Sequence, residues 1–288
     1  MRFKKNGRGS GSIWSTSAAW ALLFSLGLIF SGCTHLEKQT LPDIPEISPG
    51  ILAGYLKPES VPDSAVLLPP PPEMGSPAFS LDQDTARKVR PLQNSARWAL
   101  AIEDANLAFP KAAETFSCAV QAPITEKDTP RLYRLLRRAL TDSGLSTYRA
   151  KGQYQRPRPF TVNKESSCTP KEEEKLGYSY PSGHSAVGWA WALILSEIAP
   201  DRTNVILARG LAFGQSRVVC GVHWLSDVIE GRLMGAATVA RLHADPGFQA
   251  DLEVAKAELA AVRAKGLKPT RDCRAEAEVL ALLPPLVP

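Results

Sequence analysis

Three cationic side chains stand in motifs whose spacing suits the binding of a tetrahedral oxyanion. Lys151 is followed, after six residues, by Arg158 and a proline, and Arg217 follows a serine further along the chain. An arginine presents a planar fork that matches two phosphate oxygens at once, and a lysine adds a compact point charge. These residue types in this pattern predict a binding site for a phosphoryl group.

A Pro-Ser-Gly-His segment lies between the two arginine motifs and ends at His184. The residues after it are apolar and favour a helix, so we expect a helix to begin at Ser182 and Gly183. The free N–H groups and the positive end of the helix dipole would then point at an anion. Because Gly183 has no Cβ, the backbone there can come close to a ligand.

His223 and Asp227 are four residues apart at the start of a segment, residues 223–243, with helical spacing of its apolar residues. On a helix the two side chains would lie on one face within reach of each other. A carboxylate bonded to one ring nitrogen fixes the tautomer and leaves the other nitrogen free to attack. His184 then remains as the proton donor to a leaving alkoxide.

The three motifs, in this order and at these spacings, resemble the signature of the type 2 phosphatidic acid phosphatase superfamily. Residues 178–185 and 214–227 resemble more narrowly the bacterial class A non-specific acid phosphatases, as does the proline-rich stretch 68–76 upstream. The similarity runs roughly from residue 55 to residue 265. Three spaced motifs in order are specific, whereas Pro-Ser-Gly-His alone would be weak.

The resemblance implies an all-α helical-bundle domain of the acid phosphatase/vanadium haloperoxidase type, often dimeric and without a metal or cofactor. It implies that His223 becomes phosphorylated, that Asp227 orients it, and that His184 protonates the leaving group. The groups that would bind the phosphoryl oxygens are Lys151, Arg158, Ser182, Gly183 and Arg217. We therefore expect an acid phosphatase that hydrolyses soluble small-molecule phosphomonoesters through a phosphohistidine, with phosphotransfer to alcohols left open.

Other functions remain open at this stage. The same pocket serves vanadium-dependent haloperoxidases and lipid or diphosphate phosphatases, although lipid phosphatases usually carry several membrane spans. A non-catalytic phosphate-binding lipoprotein would need neither His184 nor His223. A His-Asp pair can be half of a metal site, but no further ligands at matching spacing accompany it, and three cations would repel a divalent ion. Arg156 is interpreted as ordinary loop chemistry.

The N-terminus has the features of an export signal. Four basic residues precede an apolar stretch, residues 18–30, and Ser-Gly-Cys follows it, which predicts a signal peptide over residues 1–32. The Gly-Cys pair resembles a bacterial lipobox, so Cys33 is a candidate for lipidation, with ordinary cleavage near Ser31 or Gly32 as the alternative. We expect a periplasmic protein that meets the membrane only through that lipid.

Charge and cysteine content agree with that location. Residues 1–32 hold four of the 34 basic residues and none of the 29 acidic ones, so 30 basic residues remain and the net charge falls from +5 to about +1. This gives no case for nucleic-acid binding. Without Cys33 four cysteines remain, an even number in an oxidising compartment, and three pairings are open. Cys220 is better explained as a disulfide or buried thiol than as a nucleophile.

The rest of the chain divides into three parts. Residues 33–80 are rich in proline and predict a tether and an extended arm. Residues 81–268 predict the helical phosphatase domain, and residues 269–288 a tail without a usable motif. Helical spacing is present in residues 95–120, 129–143, 184–198, 201–217, 223–243 and 248–265, with Asp201 expected to cap the fourth of these segments.

Overall fold

The structure is a computed structural model that describes residues 43–175 and 177–282. The predicted signal peptide and Cys33 lie outside the described residues. Within them, one short antiparallel pair of strands accompanies twelve α-helices, so the all-α prediction is confirmed. The elements are β1 (Glu46–Ser48), β2 (Ile51–Leu52), α1 (Ser64–Leu67), α2 (Pro77–Val89), α3 (Ala96–Asp104), α4 (Ser117–Val120), α5 (Pro130–Leu145), α6 (Tyr148–Tyr154), α7 (Pro159–Asn163), α8 (Gly183–Ile198), α9 (Thr203–Val219), α10 (Leu225–Leu242), α11 (Pro246–Ala264) and α12 (Cys273–Ala281).

Helix α8 forms the centre of the core. Its sequence is apolar on nearly every side, which is typical of a helix surrounded by others. Helices α5, α9, α10 and α11 pack around it. Trp191 is buried in this core, and its indole N–H donates to the carbonyl of Leu136 on α5 at 2.9 Å. The Pro-Ser-Gly-His segment leads into the first turn of α8, so the packing of this helix in the core fixes the position of that segment.

Two glycines of α10 allow it to approach α8 closely. A Cβ on Gly231 would lie 2.4 Å from the carbonyl oxygen of Ser182, and one on Gly235 would lie 2.4 Å from that of Ala186. The first turns of the two helices therefore meet, and the backbone N–H of Ser182 donates to the carbonyl of Asp227 at 2.9 Å. This contact brings two of the three sequence motifs together.

The arm before α2 lies against α5. The carboxylate of Asp142 is buried and accepts from the backbone N–H groups of Tyr55 (2.8 Å) and Leu56 (3.1 Å). The guanidinium of Arg138 donates to the carbonyl of Gly54 at 2.8 Å and stacks over the Tyr55 ring. Side chains of one helix thus satisfy the backbone of an irregular segment that has no sheet partner of its own.

Two disulfides tie distant parts of the chain. Cys118 is bonded to Cys273, which holds α12 against α4, and Cys168 is bonded to Cys220. The pairing that the sequence left open is therefore settled. Cys220 has no free thiol, in agreement with its exclusion as a nucleophile.

Some helix predictions differ from the structure. Residues 95–120 are not one helix: α3 ends at Asp104, an irregular stretch containing Pro110 follows, and a 3₁₀ segment leads into α4. Asp201 does not cap α9, because its carboxylate binds Arg263 and α9 starts after Arg202 without a side-chain cap. Residues 273–281, within the predicted tail, form α12. No helix among the described residues has the length and apolarity to span a bilayer.

Candidate active site

The structure brings the three cations of the sequence motifs to one place. Lys151 lies on α6, Arg158 immediately precedes α7, and Arg217 lies in the last turn of α9. Arg217 is only 2% exposed, and its Nε and Nη1 atoms have no hydrogen-bond partner among the described residues. A buried guanidinium with unused donors is costly, so its surroundings suit an anion that would use them.

Lys151 and Arg158 make their contacts mainly with backbone carbonyls rather than carboxylates. The Lys151 ammonium donates to the carbonyls of Pro181 (2.6 Å) and Tyr178 (3.0 Å). The Arg158 guanidinium donates to the carbonyls of Gly177 (2.6 Å), Val222 (2.7 Å) and Tyr178 (3.1 Å). These contacts hold the two side chains in place but leave their charges without a carboxylate of their own.

Burial lowers the pKa values of all three cations, and repulsion from Arg158 adds to the effect at Lys151 and Arg217. Burial, with repulsion from Arg158, lowers the pKa of Lys151 to about 7. Burial, with the same repulsion, lowers the pKa of Arg217 to about 10, and burial lowers that of Arg158 to about 10. A phosphate dianion would relieve both the desolvation and the repulsion, so this charge distribution favours anion binding.

Ser182 and Gly183 begin α8 as expected. Ser182 is the N-cap, and its hydroxyl accepts from the backbone N–H of Ser185 at 3.2 Å. The backbone N–H of Ser182 donates to the carbonyl of Asp227. Among the described residues, the N–H groups of Gly183 and His184 therefore remain for an anion at this helix end. The backbone of Gly183 and the helix dipole are therefore suited to an anion, whereas the Ser182 hydroxyl serves as the cap.

His184 lies in the first turn of α8, beside that helix end. Its Nε2 donates to the carbonyl of Ala105 at 2.9 Å, which leaves Nδ1 unprotonated in the neutral ring. The ring stacks on Phe213. Burial and the charge of Arg217 hold the pKa of His184 well below its ordinary value. Both effects favour the neutral form of His184 in the free site.

His223 and Asp227 are in contact, but the structure corrects how. They do not share a helix: α10 starts at Leu225, so His223 lies in the turn before it and Asp227 in its first turn. His223 Nδ1 donates to Asp227 Oδ2 at 3.3 Å, and the backbone N–H of Trp224 donates to the same oxygen at 2.8 Å. The four-residue spacing thus works as a helix-capping turn around the carboxylate.

The other ring nitrogen of His223 faces the cations. Arg158 Nη1 donates to His223 Nε2 at 3.1 Å, so the ring carries its proton on Nδ1 and a lone pair on Nε2. Burial and the charge of Arg158 keep the pKa of His223 well below its ordinary value. A neutral imidazole with a lone pair directed at the cationic side is the form that a nucleophile requires.

Arg156 is a member of the site that sequence reasoning missed. It is buried, and it donates to Asp227 Oδ1 at 2.6 Å and to Asp82 Oδ2 at 2.7 Å. The interpretation of Arg156 as ordinary loop chemistry is therefore wrong. Asp82 comes from α2, 74 residues earlier, and no motif or spacing in the sequence connects the two.

A second buried network supports the helix that carries Arg217. Arg209, on the same helix α9, donates to Asp104 Oδ1 at 2.6 Å and lies beside Glu276 of α12. The Ser216 hydroxyl, next to Arg217 in sequence, donates to Asp104 Oδ2 at 2.6 Å. The serine of the Ser-Arg motif therefore positions α9 rather than facing the cations.

Candidate metal ligands are sparse in the described part of the chain. No group of three or more histidine, cysteine, aspartate or glutamate side chains there has the geometry of a metal site.

The fold and the site together define an all-α protein in which two histidines lie beside a buried cluster of cations. Residues 135–249 match the model of the PAP2 superfamily. The chain is 48% identical to a non-specific acid phosphatase of Providencia stuartii, over 73% of this chain and 86% of the relative. It is 43% identical to the non-specific acid phosphatase of Salmonella typhimurium, over 71% of this chain and 83% of the relative. It is 42% identical to an acid phosphatase of Zymomonas mobilis, over 72% and 79%.

A structural comparison gives a weaker match. The crystal structure of the first bacterial vanadium-dependent iodoperoxidase aligns with 69% of this chain and 62% of its own, at 20% identity and a TM-score of 0.44. The sequence relatives decide the family. The chain belongs to the PAP2 superfamily and, within it, to the class A non-specific acid phosphatases.

Proposed function

We propose that this chain hydrolyses phosphomonoesters without a metal, through a phosphohistidine formed on His223. Hydrolysis of phosphomonoesters agrees with the names of its relatives, all three of them acid phosphatases. One observation carries the histidine mechanism. The imidazole of His223 is held by Asp227 on one side, and its free nitrogen faces Arg158, in a pocket with more positive charge than negative.

In the first step the phosphoryl group enters among Lys151, Arg158, Arg217 and the first amides of α8. His223 Nε2 attacks phosphorus, the P–N bond forms, and the P–O bond to the leaving group breaks. His184, protonated on Nδ1 when substrate is bound, gives that proton to the departing oxygen. The His223 ring becomes a cation that Asp227 stabilises through Nδ1–H. Arg158 must shift its donor from Nε2 to a phosphoryl oxygen for the attack to occur.

In the second step water replaces the histidine. His184, now neutral, takes a proton from the water, the water oxygen forms a bond to phosphorus, and the P–N bond breaks. His223 returns to the neutral form with its lone pair restored, and inorganic phosphate leaves. An alcohol in place of water would receive the phosphoryl group by the same chemistry, which is our proposal for a phosphotransferase activity.

The electrostatics explain how His184 can act as an acid although the free site favours its neutral form. Its pKa is lowered by burial and by Arg217, with Arg158 and Lys151 adding to the effect. A bound phosphoryl dianion compensates these charges and so raises the pKa of His184. Substrate binding therefore brings with it the proton that the leaving group requires, most readily at acid pH.

The test is hydrolysis of p-nitrophenyl phosphate by purified protein in EDTA, from acid to neutral pH. We compare wild type with His223→Ala and with His243→Ala, a matched control because His243 is a partly exposed histidine that contacts Glu197 away from the site. Wild type and His243→Ala should be active, and His223→Ala should lose at least about a thousandfold in kcat.

Three results would overturn the proposal. Wild type could be inactive on this and other phosphomonoesters, EDTA could abolish the activity, or His223→Ala could retain it. Peroxide-dependent halide oxidation with vanadate, in the absence of phosphatase activity, would point instead to a haloperoxidase.

We also propose export to the periplasm with a lipid on Cys33, on the strength of residues 1–33 alone. Mass spectrometry of the protein from membranes should find an acylated N-terminal Cys33, and Cys33→Ser should release it into the soluble periplasmic fraction. An unmodified N-terminus near residue 32 would contradict the anchor but not the export. A homodimer remains a prediction from the resemblance.

A further inference from the structure

A line of buried charges continues behind the nucleophile. It runs from His223 through the carboxylate of Asp227 to the guanidinium of Arg156, and from there to the carboxylate of Asp82 on α2. Each of these side chains is at most 5% exposed. Arg156 donates at 2.6 Å to the first carboxylate and at 2.7 Å to the second. One arginine is thus shared between two aspartates in a buried region.

Asp82 also binds the start of the helix that contains Asp227. The backbone N–H of Ser226, in the first turn of α10, donates to Asp82 Oδ1 at 2.8 Å. The Ser226 hydroxyl donates to Asp82 Oδ2 at 2.6 Å and accepts from Arg156 Nη1 at 2.7 Å. Asp82 therefore fixes both neighbours of Asp227: the guanidinium that binds its Oδ1 and the helix turn that carries it.

The charge balance shows why a second carboxylate matters. If Arg156 faced Asp227 alone, the two charges would cancel, and little negative charge would be left for the cation that forms on His223. With Asp82 present, the three groups carry a net charge of −1. The arginine then orients Asp227 without neutralising it. In a low-dielectric environment, one unit of net charge beside His223 has a large effect on the energy of the cation formed there.

We propose that Asp82 is a positioning residue for the histidine nucleophile, which it does not touch. By sharing Arg156 it holds the Asp227 carboxylate against His223 Nδ1 and preserves its negative charge for the phosphohistidine step. This inference rests on the function proposed above. Helix α2, which directly follows the proline-rich residues 68–76, would then contribute to the reaction although it carries none of the three sequence motifs.

The test compares Asp82→Asn with wild type and with Asp142→Asn. Asparagine keeps the shape and an acceptor for Ser226 but removes the charge. Asp142 is a matched control, since it is an equally buried carboxylate that accepts two backbone N–H groups away from the site. We measure kcat for p-nitrophenyl phosphate, the inhibition constant of inorganic phosphate, and the folded fraction at the assay temperature.

For Asp82→Asn we expect a fall in kcat of about 10- to 100-fold, the range for partners that orient a reacting ligand, with phosphate inhibition changed less than about twofold because the cations are untouched. Asp82→Glu should recover part of the loss, since it restores the charge. Asp142→Asn should unfold at lower temperature but keep the kcat of the folded fraction.

A kcat for Asp82→Asn within twofold of wild type would overturn the inference. So would a weakening of phosphate binding in step with kcat, or an equal loss in Asp142→Asn, because either would indicate a general loss of structure. An inactive wild type would instead overturn the proposed function, so the two failures are distinguishable.

Discussion

Two arginines on helix α9 are equally buried but behave in opposite ways. Arg209 and Arg217 are each 2% exposed. Desolvation disfavours the charge of Arg209, but Asp104 and Glu276 outweigh it and raise its pKa, whereas burial and Arg158 lower the pKa of Arg217 to about 10. The first arginine completes a buried ion pair, and the second has unused donors. The difference distinguishes an arginine whose ion pair stabilises the fold from one whose free donors suit an anion.

Replacing each arginine by methionine should have the largest and most different effects. Arg217→Met should lower kcat/KM for a phosphomonoester by about 10²- to 10³-fold, as for loss of one oxyanion donor. Its stability should be unchanged or higher, because a buried unpaired cation is removed. Arg209→Met leaves the buried Asp104 carboxylate without its arginine partner and should cost about 3–5 kcal/mol of unfolding free energy.

The measurements are steady-state kinetics and urea unfolding of both variants. We expect Arg217→Met to lose activity but keep its stability. We expect Arg209→Met to lose stability while its folded fraction still turns over substrate. The comparison fails if both variants lose the same property.

The two disulfides provide a second contrast, between the surroundings of Arg209 and those of the candidate active site. Replacing either pair by serines should lower the unfolding free energy by about 2–5 kcal/mol. Cys118–Cys273 holds α12 beside Arg209, so its loss should leave kcat/KM nearly unchanged. Cys168–Cys220 ends three residues before His223, so its loss should lower kcat/KM by about 10- to 100-fold through misplacement of the nucleophile. Equal kinetic losses in the two double variants would contradict this assignment.

A smaller effect concerns Lys151 and pH. Because its pKa is lowered to about 7 in the free enzyme, Lys151 loses its charge as the pH rises through 7, and anion binding must then take up a proton. The inhibition constant of a phosphate analogue should rise above pH 7 by up to about tenfold per pH unit. Lys151→Arg, which stays charged, should remove this dependence. Parallel pH profiles for the two proteins would show that another group titrates.

The sequence predicts the site better than it predicts the surroundings. Short motifs identify the candidate phosphate-binding residues, whose binding of phosphate stays a prediction: Lys151, Arg158, Ser182, Gly183 and Arg217. The start of α8 was predicted correctly from Ser182 and the apolar run after it. The contact of His223 with Asp227 was expected, but on a shared helix. The structure gives a capping turn instead, since the carboxylate satisfies the N–H of Trp224.

What the sequence could not predict depends on tertiary packing. The pairing of Arg156 with Asp82 joins residues 74 positions apart, and no periodicity encodes it. The break after Asp104, by contrast, has a signal in the sequence, because Pro110 interrupts the helical spacing of residues 95–120. The sequence also does not show why residue 231 is a glycine. The structure does, because a Cβ there would lie 2.4 Å from the carbonyl oxygen of Ser182.

The proposed mechanism requires that His223 carry the phosphoryl group during turnover. The direct measurement uses ³²P-labelled substrate, an alkaline quench that preserves a phosphoramidate, and mapping of the labelled peptide. We expect label on His223 in wild type and none in His223→Asn. His184→Asn should accumulate more label with p-nitrophenyl phosphate, whose leaving group needs no acid, because the water that removes the phosphoryl group has lost its base. Turnover without labelled protein, or label that persists in His223→Asn, would contradict the account.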